Sequence, residues 1–199
     1  ANTACGLRFP LDLAQFSGQY CPRCGGILEK MTPSLASYQP ESLPREGKEV
    51  VALLDNIRSA YNVGSILRSA DGAGISHLYL CGVTSPADQD VVRKTALGAE
   101  ESVPWTYAPN AVTFARALKG EGYHLVALEA TPKAEPLFSF SAKGAGKIAL
   151  ILGSERAGVD PDLIALADAI CFLPMQGAKG SLNVGVAFAI AAYWLRFAH

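Results

Sequence analysis

From Glu49 onward, short, largely apolar runs alternate with segments whose apolar residues recur every three or four positions. The runs are Val50–Leu54, His77–Cys81, His124–Leu128, Lys147–Leu152 and Ala169–Leu173. Each is bounded by turn residues, which predicts strands buried on both faces. The periodic segments predict helices at Val63–Ala73, Asp88–Leu97, Ala111–Gly120, Pro161–Asp168 and Leu182–Phe197. Strand alternating with helix predicts an α/β fold: a mainly parallel sheet flanked by helices. Ligands of such sheets bind where strands end and loops enter helices, and three of those junctions carry candidate chemistry.

The first junction is DNIRSAYNVGSILRSADGAG, from Asp55 to Gly74. Val63, Ile66, Leu67, Ala70 and Ala73 form the apolar stripe, and Arg68 lies off it. A helical side chain leans back over the residue four positions earlier. For Arg68 that residue is Gly64, which leaves the guanidinium an open path toward Asn62 and a phosphate or carboxylate guest. Taken alone, the stretch supports a plain surface arginine equally well. In the second junction an apolar strand runs into Gly153, Ser154 and Glu155, and Asp160-Pro161 caps the next helix. The segment lacks the Gly-Lys-Ser/Thr of a phosphate loop, and no G-x-G-x-x-G follows a strand, which argues against a nicotinamide dehydrogenase. Leu173-Pro174-Met175 then ends the last strand, leaving free backbone groups for a ligand.

The third junction is QGAKGSLNVGVAFAIAAYWL, from Gln176 to Leu195. Ser181 is read as the N-cap, with Asn183 in the first turn. The helix behind them is apolar all round and needs cover on every side. One sheet covers one face, so a second element or a second copy of the chain must cover the other.

The chain has 199 residues, half of them hydrophobic, which suits one α/β domain plus a small appendage. A formal net charge of -1 gives no support from composition to a nucleic-acid partner. Arg58, Arg93, Lys94, Arg156 and Lys179 fall in or near the junction loops, as a basic rim or as scattered solvated charge. No apolar segment reaches the roughly 18–20 residues that span a bilayer, and no signal pattern opens the chain, so a cytoplasmic protein without a membrane partner is expected. The start at Ala1 is read as loss of an initiator Met or a shortened chain.

Cys81 and Cys171 sit in apolar runs and are expected to be buried. Cys5, Cys21 and Cys24 fall in residues 1–30, ahead of a Pro- and Ser-rich linker expected over 31–48 and a main domain over 49–199. Their spacing, with CPRCG as a thiolate turn, predicts a small zinc-ribbon-like segment holding structural zinc, with three ligands visible and the fourth either a Cys ahead of Ala1 or missing from an incomplete site. A redox CxxC is the alternative, although such motifs usually adjoin a βαβ unit.

Together the three junctions resemble the SpoU/TrmH branch of the SPOUT RNA methyltransferases. Asn62, Gly64 and Arg68 match its Asn-x-Gly…Arg segment, and Gly153, Glu155 and Gly158 its Gly-x-Glu-x-x-Gly segment. Pro174, Met175, Ser181, Leu182, Asn183 and Val184 match the Pro-Met…Ser-Leu-Asn-Val segment, with Gly185 where the family often has Ser. The resemblance implies a C-terminal trefoil knot, a homodimer through the knot region and last helix, and S-adenosylmethionine lined by Leu128, Gly153, Leu173, Met175 and Leu182. It implies methyl transfer to ribose 2′-hydroxyls of tRNA or rRNA, with Arg68, Asn62, Glu155, Ser181 and Asn183 as the catalytic set. A non-catalytic RNA-binding or scaffold protein of the same fold is the alternative.

In the family Arg68 is the suggested base. Arginine holds its proton beyond about pH 12, so a clamp on phosphate and developing oxyanion charge suits its chemistry better. Glu155 and Asn62 are expected to orient it.

Overall fold

The computed structural model describes residues 5–10, 18–30, 41, 47–141 and 144–198. The chain divides into two compact units, Ala1–Pro44 and Arg45–His199. Most of the expected 31–48 linker lies outside the described residues.

The larger unit contains strands β1 (Glu49–Asp55), β2 (His77–Cys81), β3 (Trp105–Ala108), β4 (His124–Leu128), β5 (Glu135–Pro136), β6 (Lys147–Leu152) and β7 (Ala169–Phe172). Its helices are α1 (Ala60–Ala73), α2 (Asp90–Ala96), α3 (Ala99–Ser102), α4 (Ala111–Gly120), α5 (Pro161–Leu166) and α6 (Val184–Phe197). The strands form one sheet in the order β3-β2-β1-β6-β4-β7-β5, and every pairing is parallel. The expected α/β class and the positions of the five expected strands agree with this. β3, β5 and α3 were not expected.

The unbroken apolar runs are explained by two cores. Val50, Ala52 and Leu54 of β1 face one layer with α1 and Phe188, Ala191, Ala192 and Leu195 of α6. Val51 and Leu53 face the other, with Ala115 and Leu118 of α4 and Leu163 of α5. Alternate residues of one strand thus enter opposite cores, as period-two geometry requires. Cys81 and Cys171 are buried, as expected of small hydrophobes.

Three helix starts differ from expectation, α2 beginning at Asp90 rather than Asp88. α1 begins three residues early, because Ser59 Oγ accepts from the Asn62 N–H at 3.4 Å and draws Ala60–Asn62 into the first turn. α6 is capped by Asn183 rather than Ser181: Asn183 Oδ1 accepts from the N–H groups of Gly185 and Val186 at 2.9 and 3.4 Å. Ser181 is exposed and makes no side-chain hydrogen bond among the described residues.

Gly64 also has a different reason from the one expected. It is buried, and a Cβ there would stand 2.6 Å from Thr95 Cβ and 2.7 Å from the Val92 carbonyl oxygen. The glycine lets α1 and α2 touch. Gly64→Ala is therefore expected to destabilise the fold by about 1–3 kcal/mol through overpacking. Urea denaturation of the variant beside the parent chain measures that loss, and an unchanged midpoint would contradict it.

Candidate active site

Strand order decides which loops meet. β6 lies between β1 and β4, so the loop leaving β6 stands beside the loop leaving β1. The first loop carries Glu155 and the second runs from Asn56 to Ser59 into α1.

The β1 loop turns at Asn56, which adopts a left-handed conformation with φ of 57°. Its side chain holds the turn, Nδ2 donating to Asp55 Oδ1 at 2.8 Å and Oδ1 accepting from the Val83 N–H at 3.1 Å. Gly82 must lack a side chain here, since a Cβ would fall 2.2 Å from Asn56 Oδ1. The turn presents the next amides to Glu155. Its Oε2 accepts from the Arg58 N–H at 3.0 Å, and its Oε1 accepts from the Ser59 N–H at 3.2 Å and from Asn62 Nδ2 at 2.8 Å. Asn62 Oδ1 in turn accepts from Asn183 Nδ2 at 3.0 Å. One hydrogen-bonded line thus joins residues 121 positions apart and fixes the amide orientation of Asn62 and Asn183.

Burial raises the pKa of the Glu155 carboxyl. The N–H groups of Arg58, Glu155 itself and Ser59, with the Asn62 amide, outweigh that and hold it below the ordinary carboxylate range.

The glycines of the β6 loop are set by backbone crowding. A Cβ at Gly153 would stand 2.1 Å from the Gly158 carbonyl oxygen. Gly158 has φ of 75°, donates its N–H to the Ser154 carbonyl at 2.9 Å, and would place a Cβ 2.5 Å from Glu129 Oε2. Glu129, at the end of β4, accepts from the Val159 N–H at 2.9 Å and from the Ala130 N–H at 3.0 Å. It belongs to no motif. The signal that could have found it is a carboxylate immediately after a buried strand, at the ligand-binding edge of the sheet.

Of the expected catalytic residues, the structure brings Asn62, Glu155 and Asn183 together. Arg68 is exposed and makes no hydrogen bond or ion pair among the described residues, so nothing ties it to Glu155. Of the residues expected to line a cofactor, Leu128 and Gly153 stand at or just past the tips of neighbouring parallel strands, and Leu173 and Met175 follow the tip of β7 on the other side of β4. All four are half-buried, and Leu182 is exposed. The cations Arg58, Arg93, Lys94, Arg156 and Lys179 are all exposed.

In the smaller unit, Tyr20 and Ile27 pair antiparallel across a tight turn closed by the Cys21 N–H to Gly26 carbonyl bond at 2.7 Å. The Sγ atoms of Cys5, Cys21 and Cys24 all lie within 4.8 Å of one another. Cys21 and Cys5 sulfurs are 4.0 Å apart, and the N–H groups of Arg23 and Cys24 point at Cys21.

Known proteins resemble this chain in sequence and in fold. A 23S rRNA (guanosine-2′-O-)-methyltransferase RlmB of a Burkholderia species is 31% identical over 176 residues, covering 84% of this chain and 68% of its own. The Escherichia coli K12 protein of that name is 30% identical over 172 residues, covering 84% and 69%. Among solved structures, an AdoMet-bound rRNA methyltransferase from Sinorhizobium meliloti superposes with a TM-score of 0.69 at 26% identity, over 76% of this chain. This chain spans 57% of that protein. The SpoU methyltransferase AviRb of Streptomyces viridochromogenes, in complex with AdoMet, gives a TM-score of 0.65 at 26% identity, over 75% and 60% of the two chains. The model of the SpoU rRNA Methylase family matches residues 49–193, a span that contains the whole Asn62–Glu155–Asn183 line, and the chain belongs to that family.

Proposed function

We propose that this chain transfers a methyl group from S-adenosylmethionine to a ribose 2′-hydroxyl of RNA. The observation that carries the reading is the hydrogen-bonded line from the Arg58–Ser59 amides through Glu155 and Asn62 to Asn183. It joins three loops at one edge of a parallel sheet, where such folds hold ligands.

Leu128, Gly153, Leu173, Met175 and Leu182 are the residues assigned to the cofactor. Their loops leave β4, β6 and β7, which are neighbours in the sheet. When bound, S-adenosylmethionine would supply an electrophilic methyl group to the ribose 2′-oxygen, with S-adenosylhomocysteine as the leaving group and the hydroxyl proton passing to water. The protein's share is alignment and charge. Asn62 and Asn183 hold fixed amides where the loops meet, and Ser181 has a hydroxyl without an intramolecular partner among the described residues to offer. Arg68 is assigned to the RNA phosphate and to oxyanion charge, with the exposed cations as a rim.

The segment from Gly153 to Asn183 is assigned as the trefoil knot. The chain leaving β7 must return past the tips of β4 and β6 to reach α6, which packs on α1. Incubation with bulk RNA and methyl-labelled S-adenosylmethionine tests the activity. Label in RNA is expected; RNA retained without label would instead indicate a binding or scaffold protein.

A homodimer through α6 accounts for its second face. Leu182, Val186, Tyr193 and Phe197 are exposed along one side, and Tyr193 and Phe197 pair at 5.5 Å between ring centres. Charge placed in that stripe by Val186→Asp is expected to turn a dimer into a monomer in light scattering. A parent chain already monomeric would contradict the assignment.

Cys5, Cys21 and Cys24 are assigned to structural zinc. Tetrahedral thiolates at about 2.3 Å from zinc stand nearly 4 Å apart, close to the Cys5–Cys21 separation of 4.0 Å. One zinc per chain is expected by elemental analysis, falling to none in Cys24→Ser. Metal-free protein purified without chelator would remove the assignment.

No transmembrane helix is present among the described residues. A cytoplasmic location is consistent with an RNA substrate.

A further inference from the structure

Glu129 stands outside every motif, yet its carboxylate joins the two loops assigned to the cofactor. It follows Leu128 directly at the end of β4. Across from it, the loop leaving β6 runs from Gly153 to Val159. Glu129 Oε2 accepts from the Val159 N–H at 2.9 Å, and Oε1 accepts from the Ala130 N–H at 3.0 Å. The contacts stack in three layers: Gly153 against the Gly158 backbone, and Gly158 against Glu129 Oε2. Any side chain at 153 or 158 would force the layers apart. A shallow cavity of about 510 Å³ opens beside the stack, lined by Glu129, Thr131, Arg156, Val159 and Ile164 among others. Thr131 Oγ1 is buried there without a hydrogen-bond partner among the described residues.

A carboxylate on the β4 loop accepting from the Val159 N–H of the β6 loop fixes their spacing more strongly than a neutral acceptor would. The spacing in question separates the backbones of Leu128 and Gly153. Glu155 leaves the same β6 loop in the opposite sense, toward Arg58 and Asn62. The loop is therefore anchored at two points: Glu155 to the β1 loop, Glu129 to the β4 tip.

We propose that Glu129 is a positioning residue that clasps the β4 and β6 loops at the spacing the cofactor needs. It acts through Val159 and Gly158 and touches no reacting atom. The inference rests on the cofactor reading above, which the test separates from it.

The test is calorimetric titration of the full chain with S-adenosylhomocysteine, together with steady-state methylation of bulk RNA. Glu129→Ala is expected to weaken S-adenosylhomocysteine binding about tenfold or more and to raise KM for S-adenosylmethionine in step. KM for RNA at saturating cofactor should stay within about twofold, which a general loss of structure would not allow. Glu129→Gln keeps an oxygen for the Val159 N–H and is expected to recover binding to within about threefold of the parent. Unchanged binding in Glu129→Ala overturns the clasp. So does a Glu129→Gln variant that folds, by its melting curve, yet binds as poorly as Glu129→Ala. A parent chain that takes up no S-adenosylhomocysteine overturns the cofactor reading itself.

Discussion

Glu155→Ala is expected to lower kcat for RNA methylation about 10²-fold while leaving the melting temperature nearly unchanged. The two halves of that result have different origins. Glu155 is exposed, so water replaces the carboxylate for the Arg58 and Ser59 N–H groups, and folding loses little. The geometry loses more. Without Glu155 Oε1 the Asn62 amide is free to rotate, and the oxygen that now accepts from Asn183 Nδ2 at 3.0 Å is no longer fixed. Misplacement of aligning groups by about 1 Å costs on the order of 10²-fold in rate. Initial rates and melting curves of the parent, Glu155→Ala and Glu155→Gln decide the point. Equal rates would contradict the role assigned to the line.

The same carboxylate sets a pH window. Its folded-state pKa lies below the ordinary value, so its contribution is fully present above about pH 4.3, the unperturbed glutamate value. It is lost as the pH falls through the lowered folded value. Methylation should therefore show no Glu155-dependent step anywhere in the neutral range.

Arg68→Ala is expected to reduce methylation about 10²–10³-fold, the usual cost of removing one charge-stabilising donor. Arg68 is exposed and makes no ion pair among the described residues, so its loss costs the fold little and its charge is available to a ligand. Arg68→Lys separates charge from shape. Lysine keeps the charge and loses the planar fork that grips a phosphate at two points, and a fall of about tenfold is expected. Near-parental activity in Arg68→Lys at neutral pH would remove the two-point grip, and near-parental activity in Arg68→Ala would remove the residue from the site.

The central strands were legible because both their faces are buried: β2, β4 and β6 coincide with unbroken apolar runs. β3 was not, because an edge strand reading Trp-Thr-Tyr-Ala with exposed Thr106 and Tyr107 carries no such run. β5 is two residues ending in proline, too short for any period to register. Asn62, Glu155 and Asn183 were placed at one site by the resemblance of their motifs to the SpoU/TrmH branch. Which tips adjoin depends on β6 entering between β1 and β4, a long-range choice that no local pattern records.

The misreadings share a cause. Gly64 was read within its own helix, whereas its reason is Thr95 of α2. Ser181 is chemically as good a cap as Asn183, and the difference lies in the bond from Asn183 to Asn62. Glu129 went unread because its partner, Val159, is 30 residues away. Gly185 is set by packing between helices too: a Cβ there would stand 3.3 Å from Ser65 Oγ on α1.

The most direct measurement is the position of the transferred methyl. RNA labelled by the chain from S-adenosylmethionine is hydrolysed in alkali, where a methylated 2′-oxygen cannot attack its phosphate and the adjoining bond survives. Label is predicted in alkali-resistant dinucleotides, and it should be strongly reduced when the enzyme carries Glu155→Ala. Label released in mononucleotides would place the methyl on a base and contradict a site built around the ribose.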